Sequence, residues 1–154
     1  MKKIAIIVLV IISSVTITKA QSAKSVYFEL GGPGLASINF DTRFSGKEGG
    51  IGGRVGVGGF TIGGEGVVFV PVGLNYLLGK DGKNYFEVGG GVSPVFTSNI
   101  NKDDNFSTTF GYLNFGYRLQ PSNGGFTFRA FMSPVFGSWG FWPYYGGVSF
   151  GYKF

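Results

Sequence analysis

The chain has 154 residues, of which 29 are Gly, 17 Phe, 8 Tyr and 2 Trp, and its formal net charge is +5. It contains neither Cys nor His, which excludes disulfides, a lipid attached to Cys, a Ser-His-Asp catalytic site and metal sites built on His or Cys. So many glycines together with so many aromatic residues favour strands that curve and pack closely.

The first twenty residues have the pattern of a secretory signal peptide. Lys2 and Lys3 are followed by an apolar run over 4–12 and then by small residues, which predicts cleavage before Gln21. A membrane-spanning helix needs about 20 apolar residues, so an uncleaved anchor helix is the less favoured alternative. The predicted organisation is a signal peptide over 1–20 and one domain over 21–154.

Removal of the signal peptide changes the charge balance. Ten Lys and Arg then remain against eight Asp and Glu, so the mature charge is about +2. No basic run remains that could neutralise a row of phosphates, and we therefore expect no nucleic-acid partner.

Residues 21–154 show alternation of large apolar with small or polar residues and no sustained helical period. The alternation, interrupted by turn signals rich in Gly, Pro, Asn and Asp, predicts eight strands. In chain order they are expected over about 25–31, 35–44, 51–60, 67–78, 84–96, 108–119, 126–136 and 144–154. The turns between them fall at 31–34, 45–50, 61–66, 79–83, 97–107, 120–125 and 137–143.

Each predicted strand has one apolar, aromatic-rich face and one face of Gly, Ser and charged residues. A soluble barrel or sandwich would turn the apolar face inward. Three features favour the inverse: aromatic residues cluster near strand ends, acids and bases balance among glycines, and the segments are about ten residues long and even in number. The predicted fold is all-β, an eight-stranded antiparallel up-and-down transmembrane β-barrel with a polar lumen filled by side chains.

Charged residues on the polar faces are expected to pair inside the barrel, because an isolated buried charge is costly. The predicted ion-pair network consists of Glu29, Asp41, Arg43, Arg54, Glu87, Arg118 and Arg129. These residues are expected toward the strand ends joined by the turns after strands 2, 4 and 6. Arg43 and Lys153 are the two most suited to reach solvent at the rim instead.

Three prolines lie within predicted strands, although proline cannot donate a hydrogen bond to a neighbouring strand. Pro94 and Pro134 are expected near a rim or at bulges, where pairing lapses. Pro71 lies deeper in its strand, and a bulge is the only explanation that the sequence offers.

The segments "VPVGLNYLLG", "YFEVGGGV", "FGYRL" and the terminal "GVSFGYKF" resemble the small eight-stranded outer-membrane β-barrel proteins of Gram-negative bacteria. The resemblance covers essentially all of 21–154. It implies export to the cell outer membrane, with membrane lipid and lipopolysaccharide as neighbours. In that family a final strand of alternating aromatics ending in Phe is read by the barrel-assembly machinery, and Gly147, Phe150, Tyr152 and Phe154 match this assembly signal.

The remaining motifs give little support for chemistry, and neither an enzyme nor a cofactor is predicted. "NKDDN" at 101–105 could bind a cation through carboxylates and carbonyls, although a solvated loop tip is the simpler interpretation. The cluster "WGFWPYY" is interpreted as an aromatic belt at the extracellular interface, with a ligand or partner surface as the alternative. The belt residues are Trp139, Phe141, Trp142 and Tyr144.

The predicted function is that of an integral outer-membrane β-barrel with a structural or interaction role and a plugged lumen. One alternative is a small pore or transport channel for small solutes. A second is a secreted soluble barrel that binds an apolar ligand inside. The oligomeric state is not determined by the sequence.

Overall fold

A computed structural model of the protein describes residues 22–62, 65–99 and 106–154. This part of the chain is almost entirely β-structure with one short 3-10 turn, Gly32–Gly34. The strands are β1 Lys24–Gly31, β2 Ala36–Arg43, β3 Gly50–Ile62, β4 Glu65–Phe69, β5 Val72–Leu78, β6 Asn84–Asn99, β7 Phe106–Leu119, β8 Gly125–Met132, β9 Val135–Gly137, β10 Gly140–Trp142 and β11 Gly146–Lys153.

The strands form one closed antiparallel sheet in which each barrel strand pairs with the next along the chain. β4 and β5 both pair with β3 and with β6, so together they make the fourth barrel strand. β8 and β9 both pair with β7 and make the seventh. The last strand, β11, pairs with β8 and with β1, which closes the barrel. The predicted fold of eight antiparallel up-and-down strands is confirmed.

Large apolar side chains lie on the outside of the barrel and charged side chains lie inside. Val26, Phe28 and Leu30 of β1 are exposed, whereas Tyr27 and Glu29 between them are buried. The same period of two continues around the sheet, as expected for strands whose successive side chains point to opposite faces. Most of the interior is therefore polar and the exterior is apolar, the reverse of the arrangement expected for a soluble barrel.

The three prolines each keep one hydrogen bond to a neighbouring strand. The carbonyls of Pro71, Pro94 and Pro134 accept from the amides of Gly56, Val70 and Leu113, respectively. Pro71 and Pro134 lie where a barrel strand is interrupted. Pro94 lies inside β6, opposite Thr109 of β7, but on its other side the pairing of β6 lapses between Val92 and Val95, as expected for this proline. Pro94 has no amide hydrogen to donate to a neighbouring strand. None is needed on this side, because the barrel strand beside it is interrupted at 70–71.

The two ends of the barrel differ. We call the end that carries the turns 44–49, 79–83 and 120–124 the tight-turn end, and the end that carries the 3-10 turn and the β9–β10 hairpin the mouth. The predicted turn at 61–66 is shorter than expected, because β3 extends to Ile62 and β4 begins at Glu65. The predicted connection at 137–143 forms most of the β9–β10 hairpin.

The predicted signal peptide and the "NKDDN" segment lie outside the described residues. Among the described residues, no helix is long and apolar enough to cross a membrane.

Candidate functional site

The barrel interior contains one chain of alternating charges, which we call the relay. Six ion pairs connect its seven members in the order Arg54, Glu29, Arg129, Glu87, Arg118, Asp41 and Arg43. The structure thus brings together all seven residues of the predicted network, and all are buried. Each carboxylate lies between two arginines, and four arginines against three carboxylates leave an excess of one positive charge.

The geometry of the relay is that of charge-assisted hydrogen bonds. Arg54 Nη2 lies 2.8 Å from Glu29 Oε1, and Arg118 Nη2 lies 2.8 Å from Asp41 Oδ1. Arg118 Nη1 is 3.2 Å from Glu87 Oε2, and Arg129 Nη2 also donates to Glu87. Charged pairs out of water are stable only when such hydrogen bonds satisfy them, so each carboxylate is needed by both of its neighbours.

Neutral side chains complete the relay. Asn75 donates to Asp41 Oδ2 at 2.6 Å, and its carbonyl oxygen accepts from Arg43. Asn39 accepts from Arg54 Nη2 at 2.7 Å. These asparagines alternate with outward apolar residues in the sequence, so their inward position could be predicted, but their partners lie on other strands.

The arginines also pack against inward aromatic rings. Arg54 lies between two tyrosines, with its Cζ 5.7 Å from the ring centre of Tyr27 and 5.8 Å from that of Tyr112. Arg129 Cζ lies 4.8 Å from the Tyr27 ring and 5.2 Å from the Phe131 ring. Cation–π contacts of this kind strengthen when they are desolvated, so the tyrosines hold the guanidinium groups in place while filling the lumen.

A second polar cluster lies at the tight-turn end. Lys153 Nζ donates to Glu48 and to the carbonyl oxygens of Pro121 and Ser122, at 3.0 Å and 2.8 Å for the latter two. Gln120 donates to the Glu48 carbonyl at 3.2 Å. Lys153 is only 3 % exposed and Arg43 only 2 %, so the alternative that these two reach solvent at the rim is wrong.

One turn at this end has a carboxylate with a lowered pKa. Asp81 accepts hydrogen bonds from the side-chain amide and backbone of Asn84 and from the backbone of Lys83. The hydrogen bond from the Asn84 side chain is the main cause that lowers the pKa of Asp81 to about 2. Asp81 is therefore charged at neutral pH and organises an exposed turn rather than the lumen.

The mouth is covered by the 3-10 turn, which folds inward over the relay. Gly32, Pro33 and Gly34 are all buried. A Cβ at Gly32 would lie 2.8 Å from Glu29 Oε1 and 2.9 Å from the Phe131 ring, and Gly32 has φ +66°, so only glycine fits. Ser93 of β6 donates to the Pro33 carbonyl at 2.9 Å and fixes the turn across the barrel. Glu29 therefore lies directly beneath the mouth, which corrects the expectation that all the charges cluster toward the tight-turn end.

Above the relay, the inward face becomes apolar. Phe69, Val95, Phe131 and Val135 are buried at inward positions near the mouth. The alternation in the sequence predicts that these four side chains point to one face of their strands. It does not predict that this face is inward, because most apolar residues of the barrel lie on the outward face. The lumen thus has a charged lower layer and an apolar upper layer, and the sequence predicted only the first.

An apolar cavity of about 260 Å³ lies on this upper layer. Pro33 and Leu35 line it from one side, and Trp139, Trp142 and Tyr145 line it from another. In the β9–β10 hairpin, Trp142 is paired with the buried Val135, whereas Phe141 is paired with the exposed Phe136.

The β9–β10 hairpin places the residues of the predicted aromatic belt on two different faces. Paired residues of an antiparallel hairpin share a face, so Phe141 lies on the outward face and Trp142 on the face of the cavity. Trp139 also lines the cavity, and Tyr144 is exposed.

The residues of the predicted assembly signal lie on β11 and just beyond it, at the seam of the barrel. Phe150, Tyr152 and Phe154 are exposed on the outward face, and Phe150 is paired with Phe28 of β1. Gly147 is paired with Gly31, where its missing side chain lets the strands approach. The recognition of these residues by an assembly machinery stays a prediction.

The chemical capacity of the relay is limited. Each carboxylate is engaged by two guanidinium groups, so none is free to act as a general base or nucleophile. Within 22–62, 65–99 and 106–154, no group of three or more Asp and Glu side chains could hold a metal ion. The arrangement is suited to filling and bracing a barrel.

No protein-family model matches the chain, and no curated protein sequence matches it. Solved structures do. The N-terminal β-barrel domain of Pseudomonas aeruginosa OprF is similar with a TM-score of 0.61 and 15% identity, covering 87% of this chain and 98% of that one. Ail, the attachment invasion locus protein of Yersinia pestis, is similar with a TM-score of 0.51 and 15% identity, covering 86% of this chain and 97% of that one. At this identity the likeness shows the fold alone, which is that of small eight-stranded outer-membrane barrels.

Proposed function

We propose that the protein is an integral outer-membrane β-barrel with a plugged lumen and a structural or interaction role, without catalysis. The observation that carries the proposal is the inverted distribution of side chains, with large apolar residues outside and ion-paired residues inside. Water would disfavour such an exterior, since soluble monomers rarely expose apolar patches larger than a few hundred Å². A bilayer is the solvent that suits it.

The plug is supported by closure at three levels of the lumen. Lys153 and Glu48 close the tight-turn end, the relay fills the middle, and the 3-10 turn covers the mouth over Glu29. An eight-stranded barrel has only enough interior space for its own side chains. A solute could pass only if ion pairs and the turn separated.

The outward residues of the last strand support the proposed route to the membrane. Phe150, Tyr152 and Phe154 are displayed on the outside of the strand that closes the barrel, where an assembly machinery could read them. Membrane lipid and lipopolysaccharide are the proposed neighbours of the exterior. Phe141 and Tyr144 are proposed to lie at the extracellular interface, as aromatic residues commonly do.

The second candidate function is a small pore. It is favoured by the excess of one arginine over the carboxylates of the relay, since a polar, positively charged interior is what an anion-conducting path would need. It requires the three closures to open, and steady conductance distinguishes it from a plugged barrel.

Expression of the full chain in a Gram-negative host tests the proposed location. We expect the mature protein in the outer-membrane fraction, resistant to alkaline wash and soluble only in detergent. Because a closed barrel resists unfolding by detergent at room temperature, heated and unheated samples should migrate differently on a denaturing gel. A mature protein that stays in solution without detergent, with identical migration of both samples, would contradict the proposal.

A further inference from the structure

We propose that the mouth cavity binds the alkyl chain of a single-chain amphiphile that enters from the solvent, with its polar head left outside. Nothing in the charged relay below requires such a cavity, so this site is separate from the proposed structural role. Among the described residues, the lining contains apolar and aromatic side chains and no charged one. This is the usual character of a small-molecule site.

The size of the cavity selects the kind of occupant. Its volume of about 260 Å³ lies just below the roughly 300 Å³ at which drug-sized pockets begin. A helix or a folded peptide segment is too wide, whereas one flexible chain can fill the space. Each methylene group that leaves water gains favourable free energy, so a chain of several methylenes gains enough to bind measurably.

The position of the cavity selects the side of entry. Phe69 and Val135 of the lining are buried at inward positions, so the sheet separates the cavity from the outer surface of the barrel. Below it, the 3-10 turn rests on Glu29 and closes the way to the relay. In the part of the chain that the structure describes, the exposed indoles of Trp139 and Trp142 mark the remaining side, which opens at the mouth.

The backbone around the cavity is held in an unusual conformation. Leu35 has φ +57°, the one non-glycine residue with positive φ in the described part of the chain, and its side chain contributes to the lining. A positive φ is unfavourable for a residue of this type and persists only where the surrounding structure imposes it. The turn amide of Gly31 donates to the Leu35 carbonyl at 2.6 Å and holds this conformation. Such strain is typical of sites where the position of one side chain matters.

The only two tryptophans of the chain, Trp139 and Trp142, both line the cavity, so intrinsic fluorescence reports on it directly. The experiment uses the mature barrel in discs of unlabelled lipid, titrated with ω-bromododecanoate, whose bromine quenches tryptophan. We expect a saturable component of quenching that unbrominated dodecanoate displaces. Quenching that rises linearly without displacement reflects partition into the bilayer and would overturn the proposal.

A matched pair of substitutions locates the site. Val135→Phe fills the cavity from its wall, whereas Val148→Phe adds the same side chain on the outward face of β11. The first should raise the half-saturating concentration at least about tenfold, and the second should change it less than about twofold. Equal effects of the two substitutions would contradict the assignment. If Val135→Phe does not fold, displacement of ω-bromododecanoate by dodecanoate in the unchanged protein still tests whether the cavity binds the alkyl chain.

A separate experiment determines whether the alkyl chain in the cavity comes from a free amphiphile or from a bilayer phospholipid. Discs made with brominated phospholipid, without free amphiphile, report a bilayer lipid in the cavity. We expect quenching in these discs to be the same for the unchanged protein and for Val135→Phe, because the sheet separates the cavity from lipid. If tryptophan quenching in these discs is weaker for Val135→Phe than for the unchanged protein, a phospholipid chain occupies the cavity. That result would overturn the proposal that the amphiphile enters from solvent. Neither result depends on whether the barrel conducts.

Discussion

Replacing Asp41 with Asn is expected to lower the free energy of unfolding by about 3–5 kcal/mol, the cost of removing one partner from a buried ion pair. In the described part of the chain, Asp41 is the only carboxylate that forms an ion pair with Arg43, and it also accepts from Arg118. Its loss leaves Arg43, at the end of the relay, without an ion-pair partner among the described residues. The measurement is urea-dependent unfolding in lipid vesicles, followed by the difference in gel migration between folded and unfolded forms.

Two control variants separate this effect from a general cost of substitution. Asp81→Asn makes the same change on an exposed turn, where it weakens hydrogen bonds that water also reaches, so it should lower the unfolding midpoint much less than Asp41→Asn does. Asp41→Asn combined with Arg43→Met restores the excess of one positive charge, because Arg118 keeps Glu87 as its partner. The double variant should be more stable than Asp41→Asn alone. A single variant as stable as the unchanged protein would show that the relay does not brace the barrel.

Replacing Leu74 with Arg is expected to destabilise the barrel by about 2–4 kcal/mol, the cost of a basic side chain on the lipid face at the bilayer midplane. Leu74 lies on the outward face of β5 opposite Gly53 of β3 and Gly90, which is near the middle of β6, and Leu74 is 56 % exposed. The measurement is the same unfolding titration.

The matched control is Leu78→Arg, at the last residue of β5. Leu78 faces the same side and is 51 % exposed, but it lies at the tight-turn end, where the cost falls to about 0–1 kcal/mol. If the protein were soluble, both exposed positions would face water and should tolerate arginine equally. Equal and small effects would therefore contradict a membrane location, whereas a larger effect at Leu74 supports it.

The direction of most side chains could be predicted from the sequence because a strand has a period of two. Glu29, Glu87 and Arg129 alternate with large apolar residues, so their inward position follows from the pattern alone. The ion pairs that they form do not follow from the pattern. Arg129 of β8 reaches across the lumen to Glu29 of β1 and to Glu87 of β6. Pairing across a lumen depends on register and tilt, which the alternation does not determine.

The mouth was the part that the sequence described least well. Phe69 and Val135 are inward and apolar, and nothing in their residue type distinguishes them from lipid-facing positions. Trp142 was grouped with Phe141 because the two are adjacent, yet adjacent strand residues point to opposite faces. The inward fold of the 3-10 turn places Gly32 where a Cβ would collide with Phe131, a residue of β8 that is distant in the sequence, so the alternation within β1 does not predict it.

The central claim is a barrel whose lumen is closed by its own side chains, and conductance in a planar bilayer tests it most directly. The purified, detergent-extracted full-length mature protein is added to the bilayer, with Asp41→Asn as a variant in which the relay is weakened. We predict no steady channels from the unchanged protein. Reproducible single-channel steps from the unchanged protein would contradict the plugged lumen and favour the small pore.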